Sequence, residues 1–125
     1  MIGDVCPQVS PGLLKSHYAP ATPLLVFARE DILCKPYEAG NAFLFFDGLT
    51  RDVWLKAQKP PDTAVAIALS ETGNMLEAAS QLFERLHELD DGKYSRIFAQ
   101  LAPQEGLGEA INDRLWRGSY RAASP

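Results

Sequence analysis

The stretch AVAIALSETGNMLEAASQLFERLHEL, residues 64–89, places an unbroken apolar run directly before an amphipathic helical pattern. A short run of Val, Ile, Leu and Ala is typical of a strand that is buried on both faces. The apolar side chains that follow recur at helical spacing and predict one core-facing stripe, made of Met75, Leu76, Ala79, Leu82, Phe83 and Leu86. We expect Ser70 to cap this helix, with Glu71 in its first turn and Asp-Asp-Gly at 90–92 after its end.

Three further segments follow the strand pattern: PLLVFA at 23–28, AFLFF at 42–46, and the mixed segment 94–101. Helices are predicted at 50–56 and 105–117, with Gly118 suited to the last C-cap, and residues 29–41 have room for a helical turn or two. Apolar strands that alternate with helices predict an α/β fold. We expect a Rossmann-like three-layer sandwich, with a mostly parallel sheet of about four to five strands and helices on both faces.

Composition limits the classes of function. The chain has 125 residues, a net charge of −4 and a pI of about 5.1. It lacks the basic excess of a general nucleic-acid binder, so no strong direct nucleic-acid binding is expected. Its apolar runs are far shorter than the ~18 residues of a membrane span, and MIGDVCPQVSPG at 1–12 does not have the pattern of a signal peptide. We therefore expect a cytoplasmic protein with no membrane contact.

Few residues suggest a site of their own. Cys6 and Cys34 form no CxxC pair and are not spaced with the two histidines, so we predict reduced thiols and no metal site. Asp47 follows a predicted strand, and Gly106 and Gly108 open a helix after another, where open α/β sheets bind ligands and anions. These three are candidate ligand-facing positions. A turn and close helix packing explain them as well, because neither GxGxxG nor a P-loop is present.

The most specific motif lies before the first strand. Residues 1–22 are rich in Pro, Ser and Gly and are predicted to be a linker arm, followed by a domain at 23–120 and a tail at 121–125. The arm contains SPGLLKSHYAP at 10–20, which resembles the linker of the two-domain, SUA-type threonylcarbamoyl-AMP synthases. The positions that match, with the lysine as a compatible residue, are Ser10, Pro11, Gly12, Lys15, His17, Tyr18, Ala19 and Pro20. Leu13 stands where the family has methionine, and residues 103–117 also resemble the end of that family's second domain.

The resemblance implies a function. In this family a YrdC-like catalytic domain joins threonine, bicarbonate and ATP into threonylcarbamoyl-AMP, which feeds threonylcarbamoyladenosine formation in tRNA. Its ATP and magnesium belong to the YrdC-like domain, to which no segment here corresponds, so no catalytic residue and no cofactor is assigned to this chain. The implied role is that of an accessory C-terminal domain whose linker gates the pocket of a YrdC-like domain, in cis or in trans. Other tRNA-modification proteins are further candidate partners.

Two other interpretations stay open from the residues alone. One is a stand-alone Rossmann-like module that binds a nucleotide or phosphate at its strand ends, which a glycine fingerprint would favour. The other is a protein-interaction domain without a small-molecule site, which a large exposed apolar patch would favour. The alternative to gating is that Tyr18 packs on its own domain and that His17 is a solvated or hydrogen-bonded histidine.

Overall fold

The structure is a computed structural model that describes residues 21–123, apart from the side chains of residues 120–123. Strands and helices alternate along this part of the chain. The strands are β1 (Leu24–Phe27), β2 (Asn41–Asp47), β3 (Val65–Ser70) and β4 (Arg96–Gln100). The helices are α1 (Arg29–Ile32), α2 (Gly48–Gln58), α3 (Met75–Leu89) and α4 (Leu107–Ala123). Each of the four predicted strands is confirmed, with ends that differ by a few residues.

The strands form one parallel sheet in the order β1-β4-β2-β3. Strand β4, the last in sequence, lies between β1 and β2, so that Ile97 is level with Leu24 on one side and with Ala42 on the other. Parallel neighbours require crossover connections, and the helices provide them. The predicted α/β class is confirmed as a Rossmann-like, three-layer arrangement with four strands.

Strand β2 lies inside the sheet, and its residues 41–46 are all buried. Because successive side chains of a strand alternate between the two faces, its four consecutive large apolar residues divide between two cores. Leu44 and Phe46 belong to the larger core, which α3 and α4 complete. Phe43 and Phe45 belong to the second core, which α1 and α2 complete. The helices must therefore cover both faces of the sheet.

Trp54 fastens α2 to the second core. Its side chain is fully buried, and its ring centroid lies 4.3 Å from that of Phe43 and 5.6 Å from that of Phe45. Its indole Nε1 donates a hydrogen bond of 2.8 Å to the backbone carbonyl of Lys35, in the loop that follows α1. A buried tryptophan whose polar atom is satisfied thus holds a helix, a strand and a loop together.

Helix α3 begins later than the sequence pattern predicted. The expectation that Ser70 caps it is wrong, because Ser70 remains in the sheet, level with Asp47 of β2. The N-cap is Asn74, whose side chain accepts a hydrogen bond of 2.8 Å from the backbone N–H of Glu77. Between strand and helix the chain turns at Gly73, whose φ of +79° suits glycine.

The apolar face of α3 is narrower than predicted. Its buried residues are Ala78, Leu82, Leu86 and Leu89. The expectation that Leu76 and Phe83 also face the core is wrong, since Leu76 is 69% and Phe83 49% exposed. Phe83 directly follows Leu82 in the helix, so its side chain points in a different direction and lies at the edge of the core. There its ring packs edge-on against His87, with ring centroids 4.4 Å apart.

Helix α4 differs from its prediction at both ends. It begins at Leu107 and continues to Ala123, past the expected end near Gly118. Gly118 is buried within the helix and is therefore an interior position and not a C-cap. On the side of the helix that faces the sheet Ile111 and Leu115 are buried, whereas Leu107 is 44% exposed at the start of the helix.

The phase of α3 can be tested with two neighbouring substitutions. Leu82→Ala should lower the free energy of unfolding by about 2–5 kcal/mol, because it removes buried methyl groups and leaves a cavity. Phe83→Ala should cost no more than about 1 kcal/mol, as for a partly solvated position. Urea denaturation of the two variants measures both values. An equal or larger loss for Phe83→Ala would contradict the observed orientation of the helix.

Candidate functional site at the carboxyl edge of the sheet

In open α/β sheets ligands bind outside the carboxyl ends of the strands. At this edge β2 ends at Asp47, β3 at Ser70 and β4 at Gln100. Helices α2, α3 and α4 each begin close after one of these ends. Two of the three candidate ligand-facing positions, Gly106 and Gly108, precede or open α4, and Asp47 is the third.

Asp47 acts as the N-cap of α2. Its Oδ1 accepts a hydrogen bond of 2.8 Å from the backbone N–H of Thr50, and the helix begins at Gly48. The Asp-Gly turn signal thus marks a strand that passes directly into a helix. Gly73 lies alongside, because a Cβ placed on it would be 3.6 Å from the Cβ of Asp47. The carboxylate of Asp47 is therefore engaged in shaping the chain.

A buried amide joins three segments at the middle of the edge. Gln100 is only 4% exposed, and its Oε1 accepts a hydrogen bond of 2.7 Å from the backbone N–H of Phe46. Its Nε2 lies 3.5 Å from the hydroxyl of Thr50, to which Nε of Arg29 donates at 3.3 Å. Sequence reasoning missed Gln100 and Arg29. The available signal was the polar residue at the end of the mixed strand, where a buried glutamine needs partners from other elements.

The start of α3 has its own hydrogen-bonded network. The hydroxyl of Ser70 donates to Oε1 of Glu77 at 2.7 Å and accepts from the backbone N–H of Asn74 at 2.8 Å. The side chain of Asn74 in turn accepts a hydrogen bond from the backbone N–H of Glu77, which gives an arrangement similar to a capping box. These side chains satisfy the first N–H groups of the helix, so the network stabilises the turn after β3.

The start of α4 is held in a comparable way by Asn112, which is 3% exposed. Its Oδ1 accepts from the backbone N–H of Ala102 at 2.7 Å, and its Nδ2 donates to the carbonyl of the same residue at 2.9 Å. The Nδ2 also donates to Oε1 of Gln104 at 2.6 Å. One side chain from the second turn of α4 thus fixes the loop that leaves β4.

Gly108 is required by close packing. A Cβ at this position would lie 1.8 Å from the carbonyl oxygen of Pro103, which no side chain can accommodate. Gly106 differs, since it has a φ of +57° and open space around its Cα. Close packing thus requires glycine at 108, and the left-handed turn conformation favours glycine at 106.

The structure does not bring the three candidate positions into one pocket. A cleft of about 490 Å³ lies between the starts of α3 and α4, and its lining residues are Asn74, Met75, Leu76, Glu105, Gly106 and Leu107. Gly106 is among them, whereas Asp47 and Gly108 are not. The lining is mainly apolar, and its ionisable group is Glu105. This composition offers neither a phosphate cradle nor a nucleophile beside a base.

The strongest charge pair of the edge joins two elements. The guanidinium of Arg51 on α2 donates both Nη1 and Nη2 to the carboxylate of Glu71, the second contact at 2.8 Å. These hydrogen bonds lower the pKa of Glu71 and raise the pKa of Arg51. Arg51 also donates from Nε to Asp52 at 3.1 Å. Glu71 is 65% exposed and Arg51 20% exposed. Because the carboxylate lies in solvent, the pair orients the loop after β3 and contributes little to stability.

Within residues 21–123 no group of three or more His, Cys, Asp or Glu side chains is placed to hold a metal ion. Cys34 is a free, exposed thiol. The carboxylates of Asp47 and Glu71 are already engaged with a helix N-terminus and a guanidinium. The residues present at the edge therefore do not fit the ATP and magnesium that the resemblance assigns to the catalytic domain.

The chain enters β1 at the opposite, amino edge of the sheet. There Asp90, the residue that follows α3, accepts hydrogen bonds from the backbone N–H groups of Ala21 and Thr22 at 3.1 and 2.8 Å. The end of α3 thereby holds the root of the predicted arm. The predicted linker positions lie outside the described residues: Ser10, Pro11, Gly12, Lys15, His17, Tyr18, Ala19 and Pro20.

Comparison with known families identifies the chain. The model of the C-terminal domain of threonylcarbamoyl-AMP synthase matches residues 4–124. The chain belongs to this family. The match includes the SPG…HYAP segment, so the resemblance inferred from it is confirmed at the level of the family. A search of curated proteins gave no significant match.

The described helices of this threonylcarbamoyl-AMP synthase C-terminal domain are each too short or too polar to cross a membrane. The family places the domain in tRNA modification. Its carboxyl edge, where a Rossmann-like enzyme would bind its ligand, is here occupied by caps and strand-to-helix turns.

Two glycine substitutions separate packing from turn geometry at this edge. Gly108→Ala should lower the free energy of unfolding by about 3 kcal/mol or more, because the new methyl group collides with the backbone of Pro103. Gly106→Asn should cost no more than about 1 kcal/mol, because asparagine tolerates left-handed backbone and the space is open. Thermal and urea unfolding of both variants test this. A tolerated Gly108→Ala would mean that the loop before α4 is looser than described.

Proposed function

We propose that this chain is the accessory, non-catalytic C-terminal domain of a threonylcarbamoyl-AMP synthase. In this proposal a YrdC-like catalytic domain, in cis or in trans, binds ATP, magnesium and threonine, and this chain positions the linker that closes its pocket. The family match over residues 4–124 carries the proposal. The working compartment is the cytoplasm, where tRNA is modified, and other tRNA-modification proteins are candidate partners.

Two features of the domain support an accessory role. The polar side chains described at the carboxyl edge, among them Asp47, Ser70 and Asn112, make internal hydrogen bonds that stabilise the starts of the helices. The root of the arm is held by Asp90 at the other edge of the sheet. A linker that is held at its root and works on a separate domain requires a stable support, which this domain provides.

The gating step is assigned to His17 and Tyr18. A tyrosine offers an aromatic surface that excludes water together with one hydroxyl group, and histidine offers a ring that titrates near neutral pH. Lys15 is a point charge able to neutralise a phosphate. Closure over a nucleotide would protect a reactive acyl-AMP from water, and opening would release it. The stand-alone nucleotide-binding alternative is not favoured, because Gly106 and Gly108 serve a turn and close packing.

The purified chain should make no threonylcarbamoyl-AMP from threonine, bicarbonate and ATP. The reaction releases pyrophosphate, so a coupled pyrophosphate assay measures it directly. Threonine-dependent release at about 1 s⁻¹ or faster, an ordinary enzyme rate, would refute the accessory role. Adding a YrdC-like catalytic domain to the same assay is the positive control.

Tyr18→Ala tests the gate. In this chain alone it should change the free energy of unfolding by no more than about 1 kcal/mol, as at a surface site. In the assembly with a YrdC-like domain, turnover should fall at least about tenfold, because the pocket stays open to water. Glu84→Ala, on the exposed side of α3, is the control and should alter neither quantity. A large loss of stability with turnover intact would instead make Tyr18 a packing residue of this domain.

A further inference from the structure

The outward side of α2 carries an apolar ridge that no described element covers. Its members are Leu49, Val53 and Ala57, spaced four residues apart so that they line up along the helix. Leu49 is 67% exposed and Val53 41% exposed. Together with Asp52 and Lys56 they line a shallow groove of about 460 Å³.

The ridge points away from the sheet because the other side of α2 is fixed. Thr50 and Trp54, one position further along from Leu49 and Val53, are fully buried. Thr50 is hydrogen-bonded to the edge network and Trp54 to the backbone of Lys35. The helix therefore cannot rotate to bury the ridge within its own domain, and the apolar residues remain available to another molecule.

The charges beside the ridge indicate which molecule would bind there. Asp52 and Lys56 lie on one flank, one helical turn apart. Asp52 accepts from Arg51 through Oδ1, but its side chain remains 66% exposed. Lys56 has no ion-pair partner among residues 21–123. When two identical helices pack antiparallel, each flank meets the same flank of the other in reverse order. Asp52 of each copy then faces Lys56 of the other copy, which gives two ion pairs.

A second exposed apolar surface, between the starts of α3 and α4, lacks this self-complementarity. The cleft beside Leu76 and Leu107 has Glu105 in its lining, Glu77 directly follows Leu76, and Glu109 lies two residues after Leu107. Two copies meeting there would bring carboxylates together, which is unfavourable. The ridge on α2, by contrast, has an acidic and a basic side chain on the same flank, Asp52 and Lys56.

We propose that two copies of this chain associate through the α2 ridge, antiparallel about a two-fold axis. The contact is isologous, with Val53 near the axis and an Asp52–Lys56 ion pair on each side of it. A single 11-residue helix is only about 16 Å long, so the contact buries less than a standard interface of ~1,600 Å². The dimer should accordingly be weak, with a Kd on the order of 100 μM.

Sedimentation equilibrium of the purified chain from about 10 μM to 1 mM tests the proposal, with Kd on the order of 100 μM expected. Lys56→Asp places two carboxylates opposite each other at each contact and should raise the Kd at least about tenfold. The double exchange Asp52→Lys with Lys56→Asp restores opposite charges and should return the Kd to within about threefold of the original. Val53→Asp should abolish association.

Phe83→Asp is the matched control, since Phe83 is also about half exposed but lies on the opposite face of the sheet, and it should leave the Kd unchanged. Circular dichroism and melting of each variant establish that it is folded. A chain that is monomeric at 1 mM, a dimer unaffected by Val53→Asp, or a double exchange that fails to restore association each overturns the proposal. In the monomeric case the ridge belongs to a different partner.

Discussion

The burial of β2 on both faces is the constraint on which the other elements depend. Four consecutive large apolar residues, Phe43 to Phe46, alternate between the two faces of a central parallel strand, so each face needs its own cover. Helices α3 and α4 cover one face, and α1 and α2 cover the other. The three-layer architecture follows from this requirement, as does the placement of β4 beside β2, which removes one edge of the apolar strand from water.

The same constraint determines the character of the carboxyl edge. Three strands end in polar residues, Asp47, Ser70 and Gln100, at the points where the chain passes from the buried sheet to a helix. The side chain of each of these residues accepts a hydrogen bond from a backbone N–H group that has no partner within a strand or helix. Asp47 bonds to Thr50, Ser70 to Asn74, and Gln100 to Phe46. At the position where many α/β proteins hold a ligand, these three side chains join strands to helices.

The sequence predicted the features that depend on local pattern. Apolar runs identified all four strands, and alternation with helices predicted the parallel sheet, because each signal is contained in a few adjacent residues. Features decided by tertiary contact were not accessible. Phe83 follows the helical periodicity but lies just beyond the edge of the core, and Ser70 has the chemistry of a cap but is retained by the sheet. Gln100 could be noticed as a polar residue at the end of a strand, but its partners Phe46 and Thr50 were known only once the topology placed β4 beside β2.

The proposed activities occupy different sides of the domain. The arm enters at the amino edge, where Asp90 holds residues 21 and 22, so a linker acting on a catalytic domain starts on the side away from the strand-to-helix turns. The α2 ridge lies on the sheet face opposite α3, the helix that Asp90 follows. Association through α2 would therefore leave the root of the arm uncovered in both copies.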